Sequence, residues 1–324
     1  MSEARNANDS KEMTVTTLNL FNYLSPPNAF YSQENIYTEA QWLQKQNWLD
    51  DHLSKQDSDI VAFQEVFSIE SLHSQVAKLG YPHFATVDTP FIEHNFLYSQ
   101  PVLALASKHP IVDVHPMKIN SALLPYDAFE FSRSPIHAVV DMPNLGLVDI
   151  YVVHFKSKRL ELENERELLE VNRWSSNTLG LWYSTVQRGF EAHLLFTYVV
   201  QNKHKHSRPF MLMGDFNNAI EGDEFACFKP SGTSQNHELA SYGFHDAWHL
   251  VQHHTPRPPT HYYGSHSQVL DYILLSDEFS PSSANRLATV NGYSVNDKHL
   301  IDPRSDQDLY SSDHASVSIN ISFD

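Results

Sequence analysis

The chain has 324 residues, 41% of them hydrophobic and 19% charged, which allows a sizeable core and excludes global disorder. Lys and Arg number 22 against 39 Asp and Glu, a net charge of −17, which argues against a broad basic face for long duplex nucleic acid. A local basic pocket, or a metal ion that reverses the local field, stays open.

The single cysteine, Cys227, excludes an internal disulfide framework and suits a reducing compartment. Residues 1–13 are polar and mixed in charge, without the apolar stretch and small-residue cleavage site of a secretory signal. No apolar run reaches the ~18–20 residues of a membrane span. The nearest, 194–200, is interrupted by Thr197. The expectation is a cytoplasmic, monomeric protein with residues 1–12 disordered or extended and a single domain over 13–324.

In chain order, β-branched runs predict strands at 14–20, 59–66, 101–107, 137–142, 147–155, 210–214, 270–275 and 315–321. Runs such as Val102-Leu103-Ala104-Leu105-Ala106 are apolar throughout, as strands covered on both faces are. Helical patterns fall at 38–55, at 68–79 and from about 160 to 202. In the first, Trp42, Leu43, Trp48, Leu49 and Leu53 lie on roughly one side. Proline-punctuated stretches at 25–31 and 255–263, and the segment 277–307, read as irregular. Strands and helices in this mixed order predict a layered α/β sandwich.

Polar clusters end several of these strands: Thr17-Leu18-Asn19, Gln64-Glu65-Val66, His154-Phe155-Lys156-Ser157, Gly214-Asp215-Phe216-Asn217 and Ser312-Asp313-His314. Leu270-Asp271-Tyr272-Ile273 places a further acid inside a buried run. A buried carboxylate or imidazole must be paired, protonated or metal-bound. Any one cluster alone reads as a cap, a turn or a satisfied core group; six converging on strand ends read as a site.

This ordered series, with Ala104-Leu105-Ala106-Ser107-Lys108 between its members, resembles the endonuclease/exonuclease/phosphatase superfamily over residues 13–323. That group holds the deoxyribonuclease I-like metal-dependent phosphoesterases. The resemblance implies a four-layer α/β sandwich, two packed mixed β-sheets flanked by helices, with the site at one mouth. It implies divalent-metal-dependent hydrolysis of phosphate esters by in-line attack of an activated water, with Mg²⁺ as cofactor and Mn²⁺ or Ca²⁺ as alternatives. Mg²⁺ needs only one or two carboxylates and keeps several waters.

Carried over residue by residue, Glu65 matches the metal ligand, Asn19 the amide beside it and Asp313 a second acidic group near the metal. Asp215 matches the carboxylate that positions or deprotonates the water, and Asn217 an amide donating to a phosphoryl oxygen. His314, oriented by Asp271, matches a carboxylate–histidine pair, and His154 a second histidine at the phosphate or leaving group. Phe21 stands where some nucleases of the group carry an acid. Asn22 competes with Asn19, though strand alternation and Thr17 favour Asn19.

Lys156, Lys158 and Arg159 follow His154 and read either as a phosphate cradle or as ordinary surface charge. Arg133 is a further candidate phosphate ligand. The glutamates at 161, 163, 165, 167 and 170 read as a solvated helix face, which near the mouth would repel duplex. Arg188 and Glu191 read as a structural ion pair. His245, His249 and His253 fall at helical spacing beside an apolar face of Phe244, Ala247, Trp248 and Val251, which leaves the histidines toward solvent. Tyr262 and Tyr263 read as stacking rings or as loop packing.

The expected function is therefore phosphodiester or nucleic-acid hydrolysis, with hydrolysis of phosphomonoesters of small metabolites or inositol phosphates as the alternative. The expected partner is a phosphoester substrate, nucleic acid allowed, and no membrane. The full set of Glu65, Asp215, Asn217 and His314 disfavours an inactive binding protein. A glycosidase pair would leave both histidines and both Asn residues unexplained.

Overall fold

Alternation along each strand decides what each sheet face buries. The computed structural model describes residues 12–117, 129–158, 170–229 and 242–323. The first strands are β1 (Glu12–Tyr23), β2 (Ala29–Phe30), β3 (Ile60–Val66), β4 (His83–Ala85), β5 (Phe91–Glu93) and β6 (Leu97–Ser99). Then come β7 (Val102–Ser107), β8 (Ile111–Pro116), β9 (Ile136–Met142), β10 (Gly146–His154), β11 (Phe210–Asp215) and β12 (His245–Asp246). The last are β13 (His261–Tyr263), β14 (His266–Gln268), β15 (Asp271–Leu275), β16 (Ala288–Asn296) and β17 (Ser316–Phe323). Three longer helices, α1 (Glu39–Gln56), α2 (Ile69–Lys78) and α3 (Glu170–His206), complete the frame.

Two six-stranded mixed sheets result, in the orders β16-β17-β1-β3-β7-β4 and β12-β15-β11-β10-β9-β8. Between them lies one apolar layer, with Met13, Val15, Ile60 and Ala62 from the first sheet against Ile150, Val152, Met211, Met213 and Ile273 from the second. The intervening residues Leu18, Val61 and Phe63 face the opposite way and pack under Trp42, Leu49 and Leu53 of α1 and Leu72 and Val76 of α2. On the far side, Tyr151, Val153, Leu212 and Tyr272 pack under Ala192, Leu195 and Val199 of α3. Helix, sheet, sheet and helix make the expected four layers.

Helix α1 starts at a capping box: Thr38 accepts from the Gln41 amide and Gln41 accepts from the Thr38 amide. Its buried stripe is Trp42, Lys45, Trp48, Leu49, His52 and Leu53, whereas Leu43 is 57% exposed. Leu43 follows Trp42 by one residue, about 100° around the helix, so it cannot share that stripe. The start of the third predicted helix, 160–169, lies outside the described residues, and α3 runs on to His206 with a basic last turn that suits its dipole.

Besides Leu43, and the short strands β2 and β13 inside stretches read as irregular, two expectations fail. Residues 245–253 are no single helix: β12 ends at Asp246, a one-turn helix spans Ala247–Leu250, and His253 folds back to stack on Trp248 at 3.3 Å. The segment 277–307 holds the nine-residue strand β16, which the sequence hides because an edge strand keeps polar residues and because a register shift at Val290/Gly292 breaks its alternation.

One glycine is needed where β11 reaches its end. Gly214 has φ +147°, and a Cβ there would sit 1.9 Å from the Val153 carbonyl oxygen on neighbouring β10. Gly214→Ala is expected to lower stability by about 2 kcal/mol or more, measured by denaturant unfolding. A midpoint unchanged from wild type would contradict this close approach.

Candidate active site

The residue parity that fills the inter-sheet layer continues beyond it, and there the residues turn polar. On β1 the face of Met13 and Val15 goes on to Thr17 and Asn19; on β3 the face of Ile60 and Ala62 goes on to Gln64. On β10 Ile150 and Val152 lead to His154, on β11 Met211 and Met213 lead to Asp215, and on β15 Leu275 and Ile273 lead to Asp271. The candidate site is thus the polar end of the same layer that forms the core.

Asp215 is its centre, with a side chain 1% exposed. Its Oδ1 accepts from the Asn217 backbone amide at 2.7 Å, and Oδ2 accepts from Asn19 Nδ2 at 3.1 Å. His154 Nε2 lies 3.4 Å from Oδ2, and His314 Nε2 lies 3.8 Å from it. Burial, with the nearby Asp271 carboxylate, pushes the Asp215 carboxyl up to about 7 against the pull of His314 and of its hydrogen bonds.

His314 Nδ1 donates to Asp271 Oδ2 at 2.9 Å, which directs Nε2 toward Asp215 and Asp313. Burial alone would lower the imidazole; the Asp271 and Asp215 carboxylates outweigh it and hold His314 well above its ordinary value. Thr260 Oγ1 clamps the Leu270 and Asp271 amides, and the His299 ring bonds the His314 carbonyl at 3.0 Å.

Glu65 joins from β3. Its Oε1 accepts from Asn19 Nδ2 at 3.4 Å and its Oε2 from the Asn22 amide at 3.0 Å. Both Asn residues therefore sit here: Asn19 links Glu65 to Asp215, while Asn22 Oδ1 is buried with no hydrogen-bond partner. Bulges in β1 and β3 make this corner, with Phe21, Asn22 and Glu65 all at positive φ (51°, 58° and 60°). Asp313 Oδ1, also buried without a hydrogen-bond partner, lies 4.0 Å from His314 Nε2.

Sequence reasoning missed Lys45. Its chain is 2% exposed in α1, its Nζ lies 5.8 Å from the Phe21 ring centroid, and it donates to the Tyr310 carbonyl at 3.4 Å. Burial pushes it down to about 8, while the carboxylates of Asp313 and Glu65 pull the other way. A lysine inside the tryptophan stripe of α1 was the available signal.

Asn217 donates its side-chain amide to the Phe155 carbonyl at 2.9 Å, leaving a second amide hydrogen on the same nitrogen. The cationic candidates lie on two loops tied by one carboxylate, since Glu191 accepts from the Ser132 amide beside Arg133 and from the Lys156 amide, each at 2.7 Å. The expected Arg188–Glu191 pair is not formed. Arg188 instead donates to Glu224 at 3.3 Å and to the Lys156 carbonyl at 2.8 Å, because Glu191 is occupied by backbone amides. Lys158 is exposed beside Arg188, Arg159 lies outside the described residues, and so do the glutamates at 161–167. Tyr262 donates to Asp297 at 2.6 Å, and Tyr263 is 80% exposed.

Among known proteins, a family model described as "Endonuclease/Exonuclease/phosphatase family" matches residues 35–314. No curated protein matches the sequence. The human Nocturnin catalytic domain with bound sulfate anion is similar in fold, at 16% identity and a TM-score of 0.60 over 98% of this chain and 96% of that one. TDP2 from C. elegans is similar at 15% identity and a TM-score of 0.58, over 96% of this chain and 75% of that one. An endonuclease/exonuclease/phosphatase from Beutenbergia cavernae is similar at 17% identity and a TM-score of 0.55, over 96% and 72%.

The electrostatics of His314 give a direct test. Asp271→Asn removes the largest influence that raises the imidazole, so its pKa is expected to fall by about one unit or more in an NMR titration. A group raised in the folded state stabilises below its unfolded pKa and loses that stabilisation as pH rises through the folded one. The variant should therefore also lose stability relative to wild type chiefly at and below neutral pH. An unmoved titration would refute the pairing.

Proposed function

Because the chain belongs to the endonuclease/exonuclease/phosphatase family, whose members hydrolyse phosphoesters, we propose that it is a divalent-metal-dependent phosphodiesterase or nuclease. The observation that carries this reading is the Asp215 carboxylate, buried between two imidazoles and an amide and pushed up to about 7. A base poised near the working pH suits removal of a proton from an attacking water.

The chain's own residues divide the work as follows. Asp215 takes the proton of the water while Asn19 and the Asn217 amide hold its carboxylate in place. His314, kept cationic by Asp271, faces the charge that grows on the phosphoryl oxygens, and the second amide hydrogen of Asn217 donates to one of them. His154, whose Nε2 reaches the same Asp215 oxygen as His314, stands at the leaving group. Lys156, next to the loop of Arg133, holds the substrate phosphate, with the exposed Lys158 two residues on.

Glu65 and Asp313 offer oxygen donors, with Asn19 holding Glu65 through its amide, and the buried Asn22 Oδ1 and Asp313 Oδ1 have no hydrogen-bond partner, so the corner fits Mg²⁺ or Mn²⁺. Bound there, the ion would supply positive charge to the phosphoryl oxygens. The chain's net charge of −17 favours a diester, with one charge per phosphate, over a dianionic monoester. Cytoplasmic location and a monomeric state complete the proposal.

The test is hydrolysis of bis-p-nitrophenyl phosphate, p-nitrophenyl phosphate, DNA and RNA with Mg²⁺, Mn²⁺ or EDTA. Diester cleavage that EDTA abolishes is expected, with Asp215→Asn lowering kcat about 10³-fold. Monoester cleavage alone would shift the reading to a phosphatase, and full activity in EDTA would end the metal assignment. Lys156→Ala should raise KM more than it lowers kcat; an effect no larger than that of a remote lysine would remove Lys156 from the substrate.

A further inference from the structure

His261, on β13, was not among the residues that the sequence marked, yet it stands against the site. It forms an isolated bridge with His314, its ring lies 5.0 Å from the His314 ring, and the Ala315 amide bonds the Thr260 carbonyl beside it at 2.7 Å. The two imidazoles flank one carboxylate: His261 Nε2 is 4.0 Å from Asp313 Oδ2, and His314 Nε2 is 4.0 Å from Asp313 Oδ1. One ligand atom from each of the three residues lies within 4.8 Å of the others.

We infer that His261, Asp313 and His314 form a second cation site, chemically distinct from the all-oxygen corner, that takes zinc or a similar imidazole-seeking transition metal. Four ligands at about 2.0–2.1 Å around zinc stand ~3.3–3.5 Å apart, so closing the observed spacing takes side-chain shifts of roughly 1 Å or less. Two imidazoles and one carboxylate suit zinc and leave coordination positions for water, whereas Mg²⁺ takes oxygen donors. The Asp271 bond to His314 Nδ1 is the outer support that metal-ligating histidines show, since it fixes Nε2 as the ligating atom. The side chains of His261 and Asp313 are 24% and 36% exposed, which gives an ion a path in from solvent.

The consequence rests on the function proposed above: a zinc ion here engages His314 and Asp313 at once and holds the hydrolase inactive. The site would make the enzyme zinc-inhibited while Mg²⁺ supports it.

The test separates binding from catalysis. The metal-stripped full chain is titrated with Zn²⁺ against a chromophoric chelator in excess Mg²⁺, at about pH 8, where Zn²⁺ displaces the proton that Asp271 holds on His314, since imidazole ligates only when neutral. One tightly bound equivalent is expected, weakened about tenfold or more in His261→Ala and in His261→Gln. Zinc-edge X-ray absorption of the wild-type complex is expected to show two imidazole ligands, a readout that needs no variant to fold. Affinity within about twofold of wild type in folded variants, or a spectrum without paired imidazoles, would overturn the site and place any bound zinc elsewhere. Zinc binding at His261 without hydrolysis in the Mg²⁺ assay would sink only the proposed function. Hydrolysis that is indifferent to Zn²⁺, with no bound equivalent, would sink only this inference.

Discussion

The constraint on which the rest depends is a carboxylate held almost fully out of water where the two sheets meet. An unpaired buried carboxylate is costly, and removing one partner of a buried pair leaves the other uncompensated. Asp215 is offset by Asn19 from the first sheet and by His154 from the second, with the Asn217 amide and His314 from the segments that follow β11 and precede β17. None of these groups is near another in sequence except Asn217. The site therefore exists only when both sheets are packed, so folding and the chemistry are tied to one interface.

The backbone around it is shaped to match. Gly214 lets β11 run against Val153 so that Asp215 and His154 end side by side in register. Bulges in β1 and β3 release Glu65 from the ladder and turn its carboxylate toward Asn19 and the Asn22 amide. Ser312, whose hydroxyl donates to the Asn19 carbonyl at 2.5 Å, pins the segment that carries Asp313 and His314 to β1. Loops on the outer side are held by α3, where Arg188 and Glu191 bind backbone groups of the Lys156 and Ser132 segments. These buried charges organise chain segments rather than one another.

Charge balance runs through the same corner. An acidic chain gathers Glu65, Asp215, Asp271 and Asp313 at one place and sets against them His314 and the buried Lys45. Lys45 approaches from α1, a layer away from the strands, and lies where its field reaches both Glu65 and Asp313. Asp313 then faces two donor environments, one of oxygens and one of imidazoles. That shared position makes it the link between the corner that suits a hard cation and the one that suits a softer one.

The four inner strands of each six-stranded sheet were legible from sequence because their residues are apolar or β-branched for the whole length that two covering layers require. The acids and amides at their ends were legible because polar groups in such runs need partners. What sequence could not show lies where neighbours along the chain carry no trace of neighbours in space. Strand β16 is half exposed and bulged, so no periodic signal marks it. Lys45 shares the stripe of Trp42 and Leu49, but which carboxylates its charge reaches is set only when α1 is laid on the sheet, and Arg188 looks paired with Glu191 until the loops take that carboxylate. His261 stands one residue from the tyrosines that drew attention, and it meets His314 only across an isolated bridge. Local pattern determined the strands and the kinds of groups that close them; tertiary structure decided which of those groups share a charge, because an electrostatic partner is chosen by distance in space and not by distance along the chain.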